Sequence, residues 1–199
     1  MNDTMVLRRA MVDQMTLAGQ TSGQPVTGVP TSSCTAPGLM ALMLEALDVD
    51  VDARVLEVGT GTGYNAGLLS HRLRSRLVTS VEVDPVVAEA ARVALLACGY
   101  TPTLIVGDGA AGHPGNAPYD RIIATCSAPS IPAPWIAQLR PGGLLLTNLH
   151  RDLGGGVLAL LRATSTGARV TSWWFEPATG RQRWLLGGDG SWASSDEGT

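Results

Sequence analysis

Short apolar runs alternate with helical patterns through the middle of this 199-residue chain. The apolar runs that predict strands are 54–58, 77–83, 103–106, 121–125 and 144–147. The segments that predict helices follow Pro37 and cover 64–73, 85–98 and 134–139. Parallel neighbouring strands need a crossover segment, which is usually a helix. The alternation therefore predicts an α/β fold with a mostly parallel sheet that helices cover on both faces.

The end of the chain has a different pattern. Two apolar runs, 157–163 and 168–175, are separated by a Thr-Ser-Thr-Gly turn that leaves no room for a crossover helix. They are predicted to form a C-terminal antiparallel hairpin, which makes seven strands in all. We expect a single domain over 1–199, with a short N-terminal helix and a loop in 1–36 and a mobile tail in 187–199.

Composition excludes several classes of protein. All 14 basic residues are arginine, and 17 acidic residues bring the net charge to −3. The absence of lysine excludes Schiff-base enzymes and Walker-type NTPases, and the acidic balance disfavours nucleic acid as a partner. Cys34, Cys98 and Cys126 have neither CxxC spacing nor nearby histidines, so neither a disulfide framework nor a metal site is predicted. No signal peptide or membrane span can be identified, and we expect a cytoplasmic protein without a membrane partner.

The strongest local motif is VLEVGTGTGYN, residues 55–65, in which an apolar strand leads through a glycine turn into a helix. Glycines at such a turn allow positive φ and a close approach to a ligand. A dinucleotide site has the pattern G-x-G-x-x-G, whereas this turn has G-x-G-x-G, with Tyr64 where the third dinucleotide glycine would be. Glu57, just ahead of the turn, is unfavourable beside a pyrophosphate but suits a cation. The motif favours S-adenosylmethionine over a dinucleotide.

Two further acids follow the next two predicted strands. Glu82 ends the second strand, where a carboxylate can accept both ribose hydroxyls, and Asp108 follows the third, where it can meet the adenine amino group. A Rossmann-like sheet whose loop acids only cap helices is the alternative. The predicted cofactor-binding residues are Glu57, Gly59, Thr60, Gly61, Gly63, Asn65, Glu82, Val83, Gly107, Asp108, Gly109 and Thr125.

Two longer segments extend the pattern: GDGAAGHPGNAPYDRIIATCSAPSIPAPWIAQLRPGGLLL, residues 107–146, and TSSCTAP, residues 31–37. They resemble the protein-L-isoaspartate O-methyltransferase family. The resemblance implies a Rossmann-like class I S-adenosylmethionine-dependent methyltransferase fold. It also implies an active-site loop in which a hydroxyl residue two positions before a proline lies at the carboxylate to be methylated. Thr35 occupies that position, and Ser33 and Ser32 are further expected catalytic hydroxyl donors.

Within that family, four segments are most similar to the branch associated with ATP-grasp peptide (graspetide/RiPP) maturation systems: PTSSCTAPGLMALMLEALD, HRLRSRLVTSVEVDP, APYDRIIATCS and LHRDLGGGVLALL. This resemblance implies methyl esterification of an aspartyl side chain in a ribosomally made precursor peptide, leading to an ester or an aspartimide. Repair of isoaspartyl residues in proteins is the alternative. The expected partner is a peptide or protein with Asp or isoAsp, and a homodimer is left open.

The expected chemistry agrees with the residues present. A carboxylate is ionised at neutral pH, so its methylation needs hydroxyl donors to orient it but no general base. The sequence ATCS at 124–127 lacks the Asn/Asp-Pro-Pro-aromatic motif of amide- and nucleobase-methylating enzymes. A small-molecule O-methyltransferase and a non-catalytic S-adenosylmethionine-binding module remain as alternatives. Cys126 is predicted to be a buried core residue.

Overall fold

The computed structural model describes residues 35, 37–151, 155–175, 182–186 and 192–195. The predicted N-terminal helix, Ser32 and Ser33 lie outside the described residues, as do 187–191 and 196–199 of the predicted mobile tail. None of the helices in the described ranges is long and apolar enough to cross a membrane.

The described part of the chain contains four α-helices and nine strands. The helices are α1 (Pro37–Leu47), α2 (Tyr64–Arg72), α3 (Pro85–Ala97) and α4 (Ala133–Gln138). The first five strands are β1 (Val55–Val58), β2 (Val78–Glu82), β3 (Thr103–Val106), β4 (Tyr119–Ala128) and β5 (Leu139–Arg151). The last four are β6 (Gly155–Thr164), β7 (Gly167–Phe175), β8 (Gln182–Leu186) and β9 (Trp192–Ser195).

All nine strands form one sheet in the order β3-β2-β1-β4-β5-β6-β7-β8-β9. The neighbours from β3 to β5 are parallel, and from β5 onward each strand pairs antiparallel with the next. The predicted α/β class, the parallel half and the β6–β7 hairpin are therefore confirmed. The sheet has nine strands rather than the predicted seven, because β8 and β9 continue it beyond β7.

Strand β9 lies within the segment that was predicted to be a mobile tail. Its backbone pairs with β8 from Leu186 opposite Trp192 to Arg183 opposite Ser195. An edge strand offers a row of unpaired backbone groups, so a short segment can join it without the alternating apolar pattern of a core strand. For residues 192–195 the prediction of a mobile tail therefore needs correction.

Alternate side chains of β1 pack on opposite faces of the sheet, as the two-residue period of a strand requires. Val55 lies in an apolar cluster with Leu47 of α1 and Leu69 of α2. Leu56 lies in a second cluster with Trp135 of α4. The position of Glu57 follows from this alternation, because it shares the face of Val55 and lies on the side of the sheet that α1 and α2 cover.

The parallel half ends at β3, which is the edge strand beside β2. It is only four residues long and begins directly after Pro102. The carboxyl ends of β1, β2, β3 and β4 meet at one edge of the sheet, and the loops that follow them carry most of the predicted site residues.

Candidate active site

The glycine turn, residues 59–63, connects β1 to α2. Gly59, Gly61 and Gly63 have φ values of 91°, 53° and 79°, a region that residues with a Cβ rarely adopt. A Cβ on Gly59 would also lie 3.0 Å from the Thr125 hydroxyl of β4. The backbone of the turn is thus packed closely against β4, which is why the sequence needs glycine at its start.

The Glu82 carboxylate, at the end of β2, holds the turn from the other side. One oxygen accepts the backbone N–H of Gly61 at 2.9 Å, and the other accepts those of Val83 and Asp84 at 3.0 and 3.2 Å. Hydrogen bonds to an ionised acceptor are stronger than neutral ones. The side chain predicted to bind a ribose is therefore fixed in place and half-buried.

Asp108 and its neighbouring glycines follow β3. One Asp108 carboxylate oxygen accepts the N–H of Ala110 at 2.9 Å and caps the short 3-10 turn Gly109–Ala111. The Trp135 indole of α4 donates to the Gly109 carbonyl oxygen at 2.8 Å. The capping role proposed as an alternative for this acid is thus real, and Asp108 also lines a cleft.

That cleft, called here the main cleft, has a volume of about 780 Å³. It runs along the carboxyl ends of the parallel strands. The predicted cofactor-binding residues that line it are Gly59, Gly61, Glu82, Val83, Asp108, Gly109 and Thr125. Three separate loops therefore bring the predicted residues together in one depression.

A smaller space, the inner cavity, lies beside the glycine turn and has a volume of about 30 Å³. Gly59, Gly61 and Thr125 line both spaces, so the two adjoin. The further predicted residues that line the inner cavity are Thr35, Glu57, Thr60 and Asn65. The structure thus brings Thr35, the described member of the three predicted catalytic hydroxyl residues, to the glycine turn.

Glu57 faces other protein groups. Its side chain is fully buried, accepts the Asn65 amide N–H at 2.7 Å and accepts the Ser80 hydroxyl at 2.5 Å. Burial raises the pKa of Glu57 to about 7; the bonds from Ser80 and Asn65 oppose the rise, and the negative charge of Glu82 adds to it. Direct contact of this carboxylate with a cation stays a prediction; in the structure Glu57 lines the inner cavity and organises the residues around it.

Cys126 corrects a second expectation. The pairing of β4 with β5 shifts register between Ala124 and Ser127, so the strand bulges at this point. A bulge changes the direction of the side chains it contains, and Cys126 is exposed in the main cleft instead of buried in the core. Partial burial and the nearby carboxylates still raise the pKa of its thiol.

Two predicted glycines line neither space. A Cβ on Gly63 would lie 3.3 Å from side-chain atoms of Ala91 and Leu95, so this glycine serves the packing of α3. Gly107 donates its N–H to the Glu82 carbonyl oxygen at 2.8 Å and has open space around it. The sequence alone did not identify Ser80 or Trp135 as residues near the site, because Ser80 lies inside a strand and Trp135 inside a helix, away from the glycine turn and the loop acids.

The sequence matches the profile of the family "Protein-L-isoaspartate(D-aspartate) O-methyltransferase (PCMT)" over residues 7–169. The chain belongs to this family. Curated PCMT relatives include the protein-L-isoaspartate O-methyltransferase of Thermococcus onnurineus, 41% identical over 61% of this chain and 55% of that protein. The protein of the same name from Xanthobacter autotrophicus is 44% identical over 72% of this chain and 61% of its own length. The chain spans between about half and two thirds of the length of such relatives.

Solved structures agree with the PCMT assignment at the level of fold. The match to the structure of a protein-L-isoaspartate O-methyltransferase spans 94% of this chain and 66% of that protein, with a TM-score of 0.66 and 23% identity. The structure of a putative protein-L-isoaspartate O-methyltransferase from Plasmodium falciparum in complex with S-adenosyl-L-homocysteine matches over 85% of this chain and 94% of its own, with a TM-score of 0.60 and 15% identity. The fold is that of class I S-adenosylmethionine-dependent methyltransferases.

Proposed function

We propose that this protein is an S-adenosylmethionine-dependent carboxyl O-methyltransferase that esterifies the free α-carboxylate of an isoaspartyl residue in a peptide or protein. The observation that carries the proposal is the meeting of Thr35 with the glycine turn in the inner cavity, which adjoins the main cleft. Cofactor residues and an acceptor-orienting hydroxyl must lie this close for a direct methyl transfer. Family membership supports the same reaction.

The residues present fit S-adenosylmethionine. Glu82 and Asp108 both line the main cleft and provide carboxylate acceptors for the ribose hydroxyls and the adenine amino group. Asn65, which is 4% exposed, has a side-chain oxygen with no hydrogen-bond partner, and this residue lines the inner cavity. A buried amide oxygen without a hydrogen-bond partner can accept a hydrogen bond from a ligand ammonium group. When bound, the cofactor supplies an electrophilic methyl group on a sulfonium.

The protein's own contribution is orientation. The acceptor carboxylate is ionised at neutral pH, so no base is required. In the proposal, the Thr35 hydroxyl donates to one carboxylate oxygen and leaves the other aligned with the methyl group. Esterification turns the carboxylate into a better leaving group, so the following backbone amide can close a succinimide with loss of methanol.

A second candidate substrate is an aspartyl residue of a ribosomally made precursor peptide. The similarity of residues 30–48 and 71–85 to the branch associated with ATP-grasp maturation favours it. The chemistry at the carboxylate is the same, and only the acceptor differs. The curated relatives carry the isoaspartate name, so we place isoaspartyl substrates first.

The test is incubation with S-adenosylmethionine and three matched peptides that contain an isoaspartyl, an ordinary aspartyl or a ring-constrained aspartyl residue. We expect mass spectrometry to detect gain of a methyl group, or loss of water after succinimide closure, on the isoaspartyl peptide. Modification of the constrained peptide alone would favour the precursor-peptide candidate. Methylation of none of them, with cofactor binding intact, would contradict carboxyl methylation of peptides.

Thr35 variants test the proposed role of its hydroxyl. Thr35→Val removes the hydroxyl at nearly constant volume, and we expect kcat to fall by roughly tenfold or more with cofactor affinity unchanged. Thr35→Ser keeps the hydroxyl and is expected to retain most of the rate. Equal rates for Thr35→Val and the unmodified protein would remove Thr35 from the proposal.

A further inference from the structure

Ser80 lies in the middle of β2 and is fully buried. In the parallel register of β1 with β2 it stands opposite Glu57. Its hydroxyl donates to Glu57 Oε2 at 2.5 Å and lies 2.6 Å from the Thr60 hydroxyl in the glycine turn. One side chain in the sheet thus connects the glycine turn to the buried carboxylate.

The direction of these hydrogen bonds follows from the number of protons available. Ser80 has one O–H, and an ionised carboxylate can only accept. With Glu57 ionised, Ser80 donates to Glu57, and Thr60 must then donate to Ser80. On the other side, the Asn65 amide donates an N–H to Glu57 Oε1. The side-chain oxygen of Asn65 is then left without a hydrogen-bond partner in the protein.

We propose that Ser80 is a positioning residue for the cofactor: its hydroxyl links Thr60 of the glycine turn to Glu57 and thereby fixes the Asn65 amide with its oxygen free for the ligand. The inference rests on the proposed function, since it assumes that the ligand of the inner cavity is S-adenosylmethionine. Ser80 itself lines neither the inner cavity nor the main cleft, and it acts through its two neighbours.

The position of Ser80 on the strand strengthens this role. Ser80 and Glu82 are two residues apart on β2, and they hold two consecutive residues of the glycine turn, Thr60 and Gly61. Glu82 provides a charged contact to the backbone, whereas Ser80 provides a neutral contact to a side chain. Without the Ser80 hydroxyl, the turn would keep the Glu82 bond and lose its link to Glu57.

The charges around Glu57 give the proposal a specific readout. The groups that face it are the Ser80 hydroxyl from β2, the Asn65 amide from α2 and, at longer range, the Glu82 carboxylate. The bond from Ser80 favours the ionised form, so its removal moves the pKa of Glu57 further up. A ligand ammonium group favours ionised Glu57, so cofactor affinity should fall as pH decreases through this range, and removal of Ser80 should move the midpoint to higher pH.

The experiment measures binding of S-adenosyl-L-homocysteine by calorimetry between about pH 6 and 9. For Ser80→Ala we expect about tenfold weaker binding at neutral pH, and a midpoint of the pH profile at higher pH than in the unmodified protein. Ser80→Thr keeps the hydroxyl and should restore both values. Thr79→Val is the matched control: it removes a buried hydroxyl from the preceding residue of β2, which bonds to Asn116 and Tyr119 instead of to Glu57, and should change neither value.

A double-mutant cycle tests the link itself. If Ser80 acts through Thr60, the effects of Ser80→Ala and Thr60→Val on affinity should be strongly non-additive. Additive effects, or an unchanged pH midpoint in Ser80→Ala, would overturn the proposal while leaving the proposed function in place. No binding by the unmodified protein would instead contradict the proposed function, so the two failures are distinguishable.

Discussion

Glu82 holds the backbone of the proposed cofactor site through three hydrogen bonds. We expect Glu82→Gln to weaken cofactor binding by roughly tenfold to a hundredfold, because the neutral amide replaces a carboxylate oxygen with an N–H group facing backbone donors. The affected donors are the N–H groups of Gly61, Val83 and Asp84. Calorimetry measures the loss. Glu89→Gln, which neutralises an exposed acid on α3, is the control and should bind normally.

Glu57 makes the free energy of unfolding depend on pH. Its pKa is raised from 4.5 to about 7 in the folded protein, so between these values the folded state holds a proton that the unfolded chain releases. Stability from this group is therefore fully present below pH 4.5 and is lost as pH rises to 7, by about 3 kcal/mol. Glu57→Gln removes this dependence, and urea unfolding across this pH interval checks it. A stability difference between the two proteins that stays constant with pH would contradict the prediction.

Sequence position predicts some residues of the site and not others. Glu82 and Asp108 could be identified because acids at the ends of successive parallel strands must meet at one edge of the sheet. Ser80 could not, since a serine inside an apolar strand shows no pattern until the register places it opposite Glu57. The exposure of Cys126 depends on a bulge, which requires knowledge of how β4 pairs with β5.

At the scale of elements, Arg121 attaches the end of α1 to the sheet. From β4, its Nε donates to the Leu47 carbonyl oxygen at 2.8 Å, and its Nη2 donates to that of Asp48 at 2.7 Å. Carbonyl groups at a helix end have no partner within the helix, so a side-chain donor satisfies them. Helix α1 begins two residues after Thr35, so this attachment also bears on the position of the proposed catalytic residue.

We expect Arg121→Ala to lower the free energy of unfolding by about 1–3 kcal/mol, because it leaves those carbonyl oxygens without donors. The rate of methyl transfer should fall more than cofactor affinity, because a shift of α1 would displace the Thr35 side chain. Urea unfolding and steady-state kinetics measure the two effects. Arg92→Ala breaks only an exposed ion pair and should change stability by less than about 1 kcal/mol. Equal losses in the two variants would contradict the role given to Arg121.

The extents of elements follow from periodicity only where the chain is regular. Helix α2 and strand β3 lie within a residue of their predicted ends, because their boundaries fall at glycine and proline signals. Strand β5 extends over Leu139–Arg151, whereas the apolar run predicts a strand only over 144–147. The pairing with β4 jumps from Leu139 to Leu144, so the strand contains an irregularity that its sequence presents as a break.

At the scale of the whole molecule, the residues that line the main cleft come from loops at the ends of several strands, so a ligand bound there would contact those loops at once. Free S-adenosyl-L-homocysteine at a hundred times its Kd should therefore raise the free energy of unfolding by about 2.7 kcal/mol, which calorimetry detects as a higher Tm. NAD⁺ should have no such effect, since the glycine turn lacks the dinucleotide pattern and Glu57 lies just before it. An equal shift with NAD⁺ would contradict the choice of cofactor made from the sequence.

Strand β3, the outermost strand at one end of the described sheet, has a practical consequence for handling the protein. Its four residues, TLIV, carry no charge that would repel a second copy. A short edge strand and a preceding proline, which lacks an N–H group, both lower the tendency of an edge to pair with another chain. We expect replacement of Pro102, or extension of the strand with further aliphatic residues, to increase aggregation in concentrated samples. A single lysine in place of Thr103 should decrease it.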